Sequence, residues 1–412
     1  MTTSDGLLAA TIRDESGRLV TALYRRFGDF DVAEEAVQGA VVEALTQWRR
    51  DGTPRRPGAW LMTAAQRNAL DLLRARGRQA RATERLAGPP GDAPPSADGA
   101  LHDADDRLPL LFACCHPALA PDARLALTLR AVIGLTTPQI ARAFLVNEQT
   151  LAQRIVRAKR KIVAARIELK VPDDLDERLP DVLAVVYLAY NEAFVSSTGS
   201  THDRDLGADA AWLSELVAHS LPERAEAWGL AALLRIQHGR AAARFTATGD
   251  LVLLRDQDRS LWDGTAIKRA GEHLERAASL RSPGRYQLQA AIAMCHAEAP
   301  SWEETDWLQI VTLYGVLIRE DPSPVVRLNG AIALAQLGPR QAAVALADLD
   351  TLEPQLAGYH LWHAARAELL RLNGRDDDAE AADRRALELT SNDAERRLIQ
   401  TRLRRHPLTD GS

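Results

Sequence analysis

Residues 135 to 162, LTTPQIARAFLVNEQTLAQRIVRAKRKI, set glutamines and arginines behind what reads as a tight turn between two short helices. Gln and Arg suit bidentate contacts with adenine and guanine edges, each good pair giving about 1–3 kcal/mol of discrimination. Thr137 can cap a first helix that starts at Pro138, where the missing N–H costs nothing, and Ile140, Ala141 and Phe144 give it one apolar face. After Leu145 and Val146, Asn147 can cap a second helix whose Leu151, Ile155 and Ile162 turn to a core. Gln149, Thr150, Gln153, Arg154 and Arg157 then point largely away from that core, and Lys159, Arg160 and Lys161 follow as cations for phosphates. This is the layout of a DNA-recognition helix. A solvated helix end whose cations complement the macrodipole has the same composition, so the reading depends on what accompanies it.

A second basic surface precedes it. Residues 29 to 48, DFDVAEEAVQGAVVEALTQW, place Val32, Ala36, Val37, Ala40, Val41 and Leu45 on one side of a helix, with Asp31, Glu34, Glu35 and Gln38 on a largely polar surface. The loop RRDGTPRRPG leads into AWLMTAAQRNALDLLRARGRQAR, with Leu61, Ala65, Leu70 and Leu73 inward and Gln66, Arg67, Asn68, Asp71, Arg74 and Arg76 outward.

The elements that must carry these faces are helical. Apolar residues recur at three and four, and clustered β-branched and aromatic runs are nearly absent, so the fold class is all-α. GPPGDAPPSADGALHDADD, residues 88 to 106, interrupts the pattern as a linker, and the acidic VPDDLDERLPDV at 171 to 182 is a weaker break and a candidate hinge around Asp173, Asp174, Asp176 and Glu177. Beyond it, about 230 residues continue in helical pattern. Gly338 and Gly374 lie 36 residues apart, each followed five positions on by alanine, Ala343 and Ala379, with Gly239 as a degenerate earlier copy and Pro322 between units. Glycine suits a left-handed helix end, and the spacing is near the 34-residue tetratricopeptide period.

Composition narrows the function. The 412 residues, 46% hydrophobic, are ample for several packed cores, and a net charge of −5 argues against indiscriminate coating of nucleic acid, so DNA contact must come from local basic faces. The N-terminus lacks a basic region followed by an apolar stretch, and no segment offers about 18 uncharged apolar residues, so the expectation is a cytoplasmic protein without membrane contact. Cys114, Cys115 and His116 lack metal-ligand spacing and read as core or helix-end residues. His202, Asp203 and Asp205 read as a solvated loop, and Asp256, Asp258, Arg259 and Asp263 in DQDRSLWD as a capped or buried ion network. No GxGxxG, P-loop, HExxH or nucleophile elbow appears. Neither an enzyme nor any metal or cofactor is expected.

At these residues the chain resembles the extracytoplasmic-function class of bacterial RNA polymerase sigma factors. DVAEEAVQGAVVEAL, PGAWLMTAAQRNALDLLRARGR and LTLRAVIGLTTPQIARAFLVNEQTLAQRIVRAKRKI look like regions 2.2, 2.3–2.4 and 4, in order, over about residues 8 to 168. The long extension is similar to that of the subfamily fused to a tetratricopeptide-like domain, in which VLAVVYLAYNEAF and DQDRSLWD also look familiar. The resemblance implies region 2 at 8–80, a linker at 81–106, region 4 at 107–170, a helical extension at 180–280 and helical repeats at 281–405. It implies that Asp31, Glu34, Glu35 and Gln38 bind the β′ clamp of core polymerase, with the β flap as a further contact. Arg49, Arg50, Arg55 and Arg56 match the loop that captures an extruded base of the −10 element, with Trp60, Arg67, Asn68, Asp71 and Arg74 on the adjoining helix. Glu148, Gln149, Thr150, Gln153, Arg154, Arg157, Lys159, Arg160 and Lys161 match the −35 reader. Gln66 and Gly39 depart from the family pattern, standing where many relatives have a basic and an acidic residue. Implied partners are core polymerase, promoter DNA and a peptide or protein held by the repeats. A one-component helix-turn-helix regulator with a repeat sensor also accounts for 135–162 and the C-terminal half, but leaves the N-terminal unit without a purpose.

Overall fold

The computed structural model describes residues 3–84, 107–135, 137–143, 146–195 and 201–405. The chain forms two compact units, Met1–Glu192 and Ala193–Ser412. Among the described residues the structure is helical apart from one isolated bridge between Phe245 and Leu251.

The first unit begins with α1 (Thr3–Phe27), α2 (Phe30–Asp51) and α3 (Pro57–Glu84). Asp29 caps α2, its side chain accepting from the Val32 N–H at 3.0 Å. Val32, Ala36, Val37, Ala40, Leu61 and Ala65 are buried as their spacing predicts. Leu45 and Leu70 are not, at 36% and 39% exposure: with 3.6 residues per turn, steps of four overshoot, and Ala44 and Ala69 take the buried positions. Gly39 has a packing reason, since a Cβ there would stand 2.9 Å from Asn68 Nδ2 on α3.

The expected linker starts late, because α3 runs to Glu84; residues 85–106 lie outside the described residues. Then come α4 (Arg107–Cys114), α5 (Pro121–Thr128) widening into a π turn at Leu129–Ile133, α6 (Thr137–Ala143) and α7 (Glu148–Ala164). Cys114 and Cys115 are buried core thiols, and burial pushes Cys115 up to about 12. The acidic stretch at 171–182 does not divide the two units. It enters α8 (Leu175–Val195), which runs through Pro180, with Asp176 and Glu177 in its first turn, where the macrodipole favours them. Arg178 donates to the Phe112 carbonyl (3.4 Å) and Asp181 pairs with Arg124 (3.0 Å), so the start of α8 is fastened to α4 and α5. The division between units falls instead after Glu192.

The second unit opens with α9 (Thr201–Ser220), so His202, Asp203 and Asp205 lie on a helix and not on the expected loop; their side chains lie outside the described residues. α10 (Ala225–Gly239) is buried nearly all round and packs against α9, α11 (Gly264–Ser279) and α12 (Arg285–Glu298). Next come α13 (Trp307–Glu320), α14 (Pro324–Ala335), α15 (Pro339–Asp350), α16 (Glu353–Leu356), α17 (His360–Leu372), α18 (Asp376–Leu389) and α19 (Asp393–Arg405), the longer ones packing chiefly on their sequence neighbours. Gly374 (φ 69°) takes the left-handed conformation between α17 and α18, and Gly338 (φ 131°) a positive-φ conformation between α14 and α15. Gly239 adopts no positive φ and ends α10 beside α11. The alanine match is also offset. α15 starts directly after Gly338 whereas α18 starts two residues after Gly374, so the buried partner of Ala379 is Ala342, and Ala343 is exposed.

Candidate nucleic-acid interface

Asn147 builds the start of α7: its side chain accepts from the Gln149 N–H at 2.9 Å and the Thr150 N–H at 3.4 Å. Leu151, Ile155, Ala158 and Ile162 are buried and α7 packs on α5 and α6. That leaves Glu148, Gln149, Thr150, Gln153, Arg157, Arg160 and Lys161 exposed, and Arg154 half-buried with its guanidinium 3.5 Å from Asp122. After the acidic Glu148, neutral donors and acceptors at Gln149, Thr150 and Gln153 precede cations at Arg154, Arg157, Arg160 and Lys161, which is the order needed for base edges followed by phosphates. Phe144 and Leu145 lie outside the described residues.

Arg55 and Arg56 are exposed in the α2–α3 loop, whereas Arg49 and Arg50 lie on the last turn of α2 and not in the expected loop; Arg50 is exposed, and the Arg49 side chain lies outside the described residues. Arg50 lies against Asp51 (2.8 Å). Trp60 meets Trp48 edge to face at 5.4 Å, which fixes an aromatic ring beside the loop. On the outer side of α3, Arg67 pairs with Glu43 and Arg74 with Asp71 (3.1 Å); both pairs are exposed and so contribute little to stability. Asn68 differs from its expected outward role, because its Nδ2 donates to the Ala36 carbonyl of α2 at 3.4 Å and ties the helices together.

The acidic face of α2 differs most from expectation. Asp31 and Glu35 are exposed, with Glu35 3.7 Å from Arg76, but Glu34 is only 2% exposed. Its carboxylate accepts from Arg130 Nε in the π turn and pairs with Lys159 of α7. Lys159 Nζ also lies 3.0 Å from Asp31 and 5.7 Å from the centre of the Phe30 ring. Gln38 donates to the Gly134 carbonyl at 3.4 Å. Lys159 is therefore not the solvent-facing cation that the spacing indicates. A carboxylate can be buried here because two cations neutralise it. Glu34 carries a sequence signal for this: it sits four residues after Phe30 and three before Val37, on the apolar stripe. Arg130 is likewise the lone charge in LTLRAVIGL.

In the second unit, DQDRSLWD proves to be a fastener. Asp258 and Asp263 accept from the Ser260 and Ala266 N–H groups, each at 2.9 Å. Arg259 donates to the His296 and Ala299 carbonyls, and Trp262 has the Arg259 and Arg240 guanidinium groups 4.6 and 5.2 Å from its ring centre. Burial, with Arg240 and Arg259 nearby, pushes His296 down to about 4. Among the described residues no His, Cys, Asp and Glu group could hold a metal ion, and no helix is long and apolar enough to cross a membrane.

Known families match three stretches of the chain, the third of which spans the boundary between the two units. Residues 11–79 match sigma-70 region 2, residues 110–162 match sigma-70 region 4, and residues 178–278 match a family of unknown function, DUF6596. The chain is 43% identical over 390 residues to an uncharacterized protein of Rhizobium meliloti (strain 1021), covering 93% of this chain and 92% of that one. No solved structure matches it.

Proposed function

The chain belongs to one family with the Rhizobium meliloti protein and carries sigma-70 regions 2 and 4, and on that premise we propose that it is a sigma factor of the extracytoplasmic-function type. In this reading it brings core RNA polymerase to specific promoters and helps open them, while the polymerase performs the chemistry. The observation that carries the proposal is a region 2 and a region 4 in one chain, the latter with a polar-then-cationic face on α7. Gln149, Thr150, Gln153, Arg154 and Arg157 read the −35 element, with Arg160 and Lys161 on phosphates. Arg49, Arg50, Arg55, Arg56 and Trp60 hold the unstacked −10 strand, offsetting a few kcal/mol of unstacking per base. Asp31, Glu34, Glu35 and Gln38 meet the β′ clamp.

Burial of Glu34 under Arg130 and Lys159 adds a condition. In the free chain region 4 covers part of the surface assigned to the clamp, and region 2 occupies a cation assigned to DNA. Engaging polymerase and promoter then requires the two regions to part. The second unit, tetratricopeptide-like in its paired helices and in Gly338 and Gly374, acts in cis on the first through the effective concentration a covalent linkage provides. The test is DNA binding with and without core polymerase. A sigma factor binds promoter DNA specifically only with the core, whereas specific binding by the chain alone would make it a one-component regulator.

A further inference from the structure

In the second unit, the segment Asp250–Asp256 together with α17 and α19 encloses a cleft of about 700 Å³. That volume is within the range of small-molecule sites. Leu251, Leu253 and Leu398 contribute apolar lining, and Arg255, Arg371 and Arg402 contribute charge. The charges do not balance. Arg371 Nη2 and Arg402 Nη2 both end on Asp383, which has no exposure and spends its two oxygens on them. Arg255 Nη1 is held by Glu368 Oε1 at 2.9 Å. With the buried Asp383 counted, Arg255, Arg371, Arg397, Arg402 and Arg404 stand against Asp250, Asp256, Glu368 and Asp383, five guanidinium groups to four carboxylates. Two N–H groups remain over, since Arg371 Nη1 and Arg402 Nε are buried and have no hydrogen-bond acceptor. Leaving a buried charged donor unmatched is costly, and a planar guanidinium fork is shaped for the paired oxygens of a carboxylate or phosphate. Burial, with Arg371 and Arg255 close by, also lowers the Arg402 pKa from its usual value, so an added negative charge is favoured there. Arg397 at the same cleft is already engaged by Asp250 and the Gly249 carbonyl.

We propose that this cleft is a binding site for a small anionic ligand, whose carboxylate or phosphate oxygens are taken by Arg371 and Arg402 while its apolar part meets the leucines. Binding is read on the chain alone and stands or falls separately from promoter activity. The experiment is calorimetric titration of the full chain with citrate and with inorganic phosphate, against sodium chloride at matched ionic strength. One saturable site per chain is expected for at least one of the two oxyanions, and which one binds separates carboxylate from phosphate recognition. Arg255→Gln leaves four cations against four carboxylates, at a 41% exposed position that retains the fold; Arg255 does not hold the ligand itself, so affinity should drop about 10-fold through loss of the surplus positive charge. Arg402→Lys keeps the charge but not the fork and should weaken binding by a similar factor, with circular dichroism reporting the fold. The proposal is overturned if neither oxyanion binds saturably at millimolar concentration, or if Arg255→Gln binds as tightly as the native chain.

Discussion

Replacing Glu34 by glutamine keeps the shape of the side chain and removes the charge that Arg130 and Lys159 share. These cations are 18% and 12% exposed, so neither is rehydrated without movement. Removing one partner of a buried pair costs about 3–5 kcal/mol, and the lower end applies because Asp31 remains 3.0 Å from Lys159. At about 1.4 kcal/mol per factor of ten, 3 kcal/mol corresponds to roughly 100-fold in the equilibrium for opening the contact. Amide hydrogen exchange followed by mass spectrometry reads that equilibrium locally. Peptides from α2 and α7 should lose about two decades of protection in Glu34→Gln, while peptides from α17 and α18 exchange as before. The double variant Glu34→Gln, Lys159→Met should be less perturbed than the sum of the single variants, because the two residues are in direct contact. A change below about threefold in α2 and α7 would refute the reasoning, since a buried and doubly paired carboxylate cannot be neutralised at so little cost.

Arg154→Ala should weaken −35-dependent initiation by about 1–3 kcal/mol and relax preference at one base pair, whereas Lys161→Ala should weaken all promoters alike; competition assays on altered −35 sequences check both. His296, held near 4 against an ordinary 6.5, is a depressed group, so the stability it contributes is complete above pH 6.5 and is lost as pH falls from 6.5 through 4. Urea unfolding of the second unit should therefore weaken by up to about 3 kcal/mol across that window, and His296→Gln should flatten the dependence. A chain ending at Val195 keeps α8 whole and should still bind core polymerase but give reduced run-off transcription; output equal to the full chain at every polymerase concentration would leave the second unit as a passenger.

The helices were legible because their apolar residues keep a strict three-four rhythm, and the Asn147 cap and the Leu151–Ile155–Ile162 stripe follow from local chemistry alone. Exposure of Gln149, Gln153 and Arg157 came with them. Long-range pairing was not legible. Nothing local in AEEAV says that Glu34 meets a lysine 125 positions later, and reading the acidic and basic faces as separate surfaces missed that each neutralises the other. The acidic run at 171–182 misled because Asp, Glu and Pro serve a helix start as well as a linker, and only its ties to Phe112 and Arg124 distinguish the two. Repeat glycines were visible through their conformation, while the one-residue offset at Ala342 depends on where each helix begins.

The central claim is tested most directly by run-off transcription with purified core polymerase on DNA from upstream of the chain's own gene. The account predicts a discrete transcript that requires both the chain and the core enzyme and that declines with Arg154→Ala. Transcription unchanged by the chain across a screen of upstream regions, with the chain failing to co-purify with core polymerase, would contradict it.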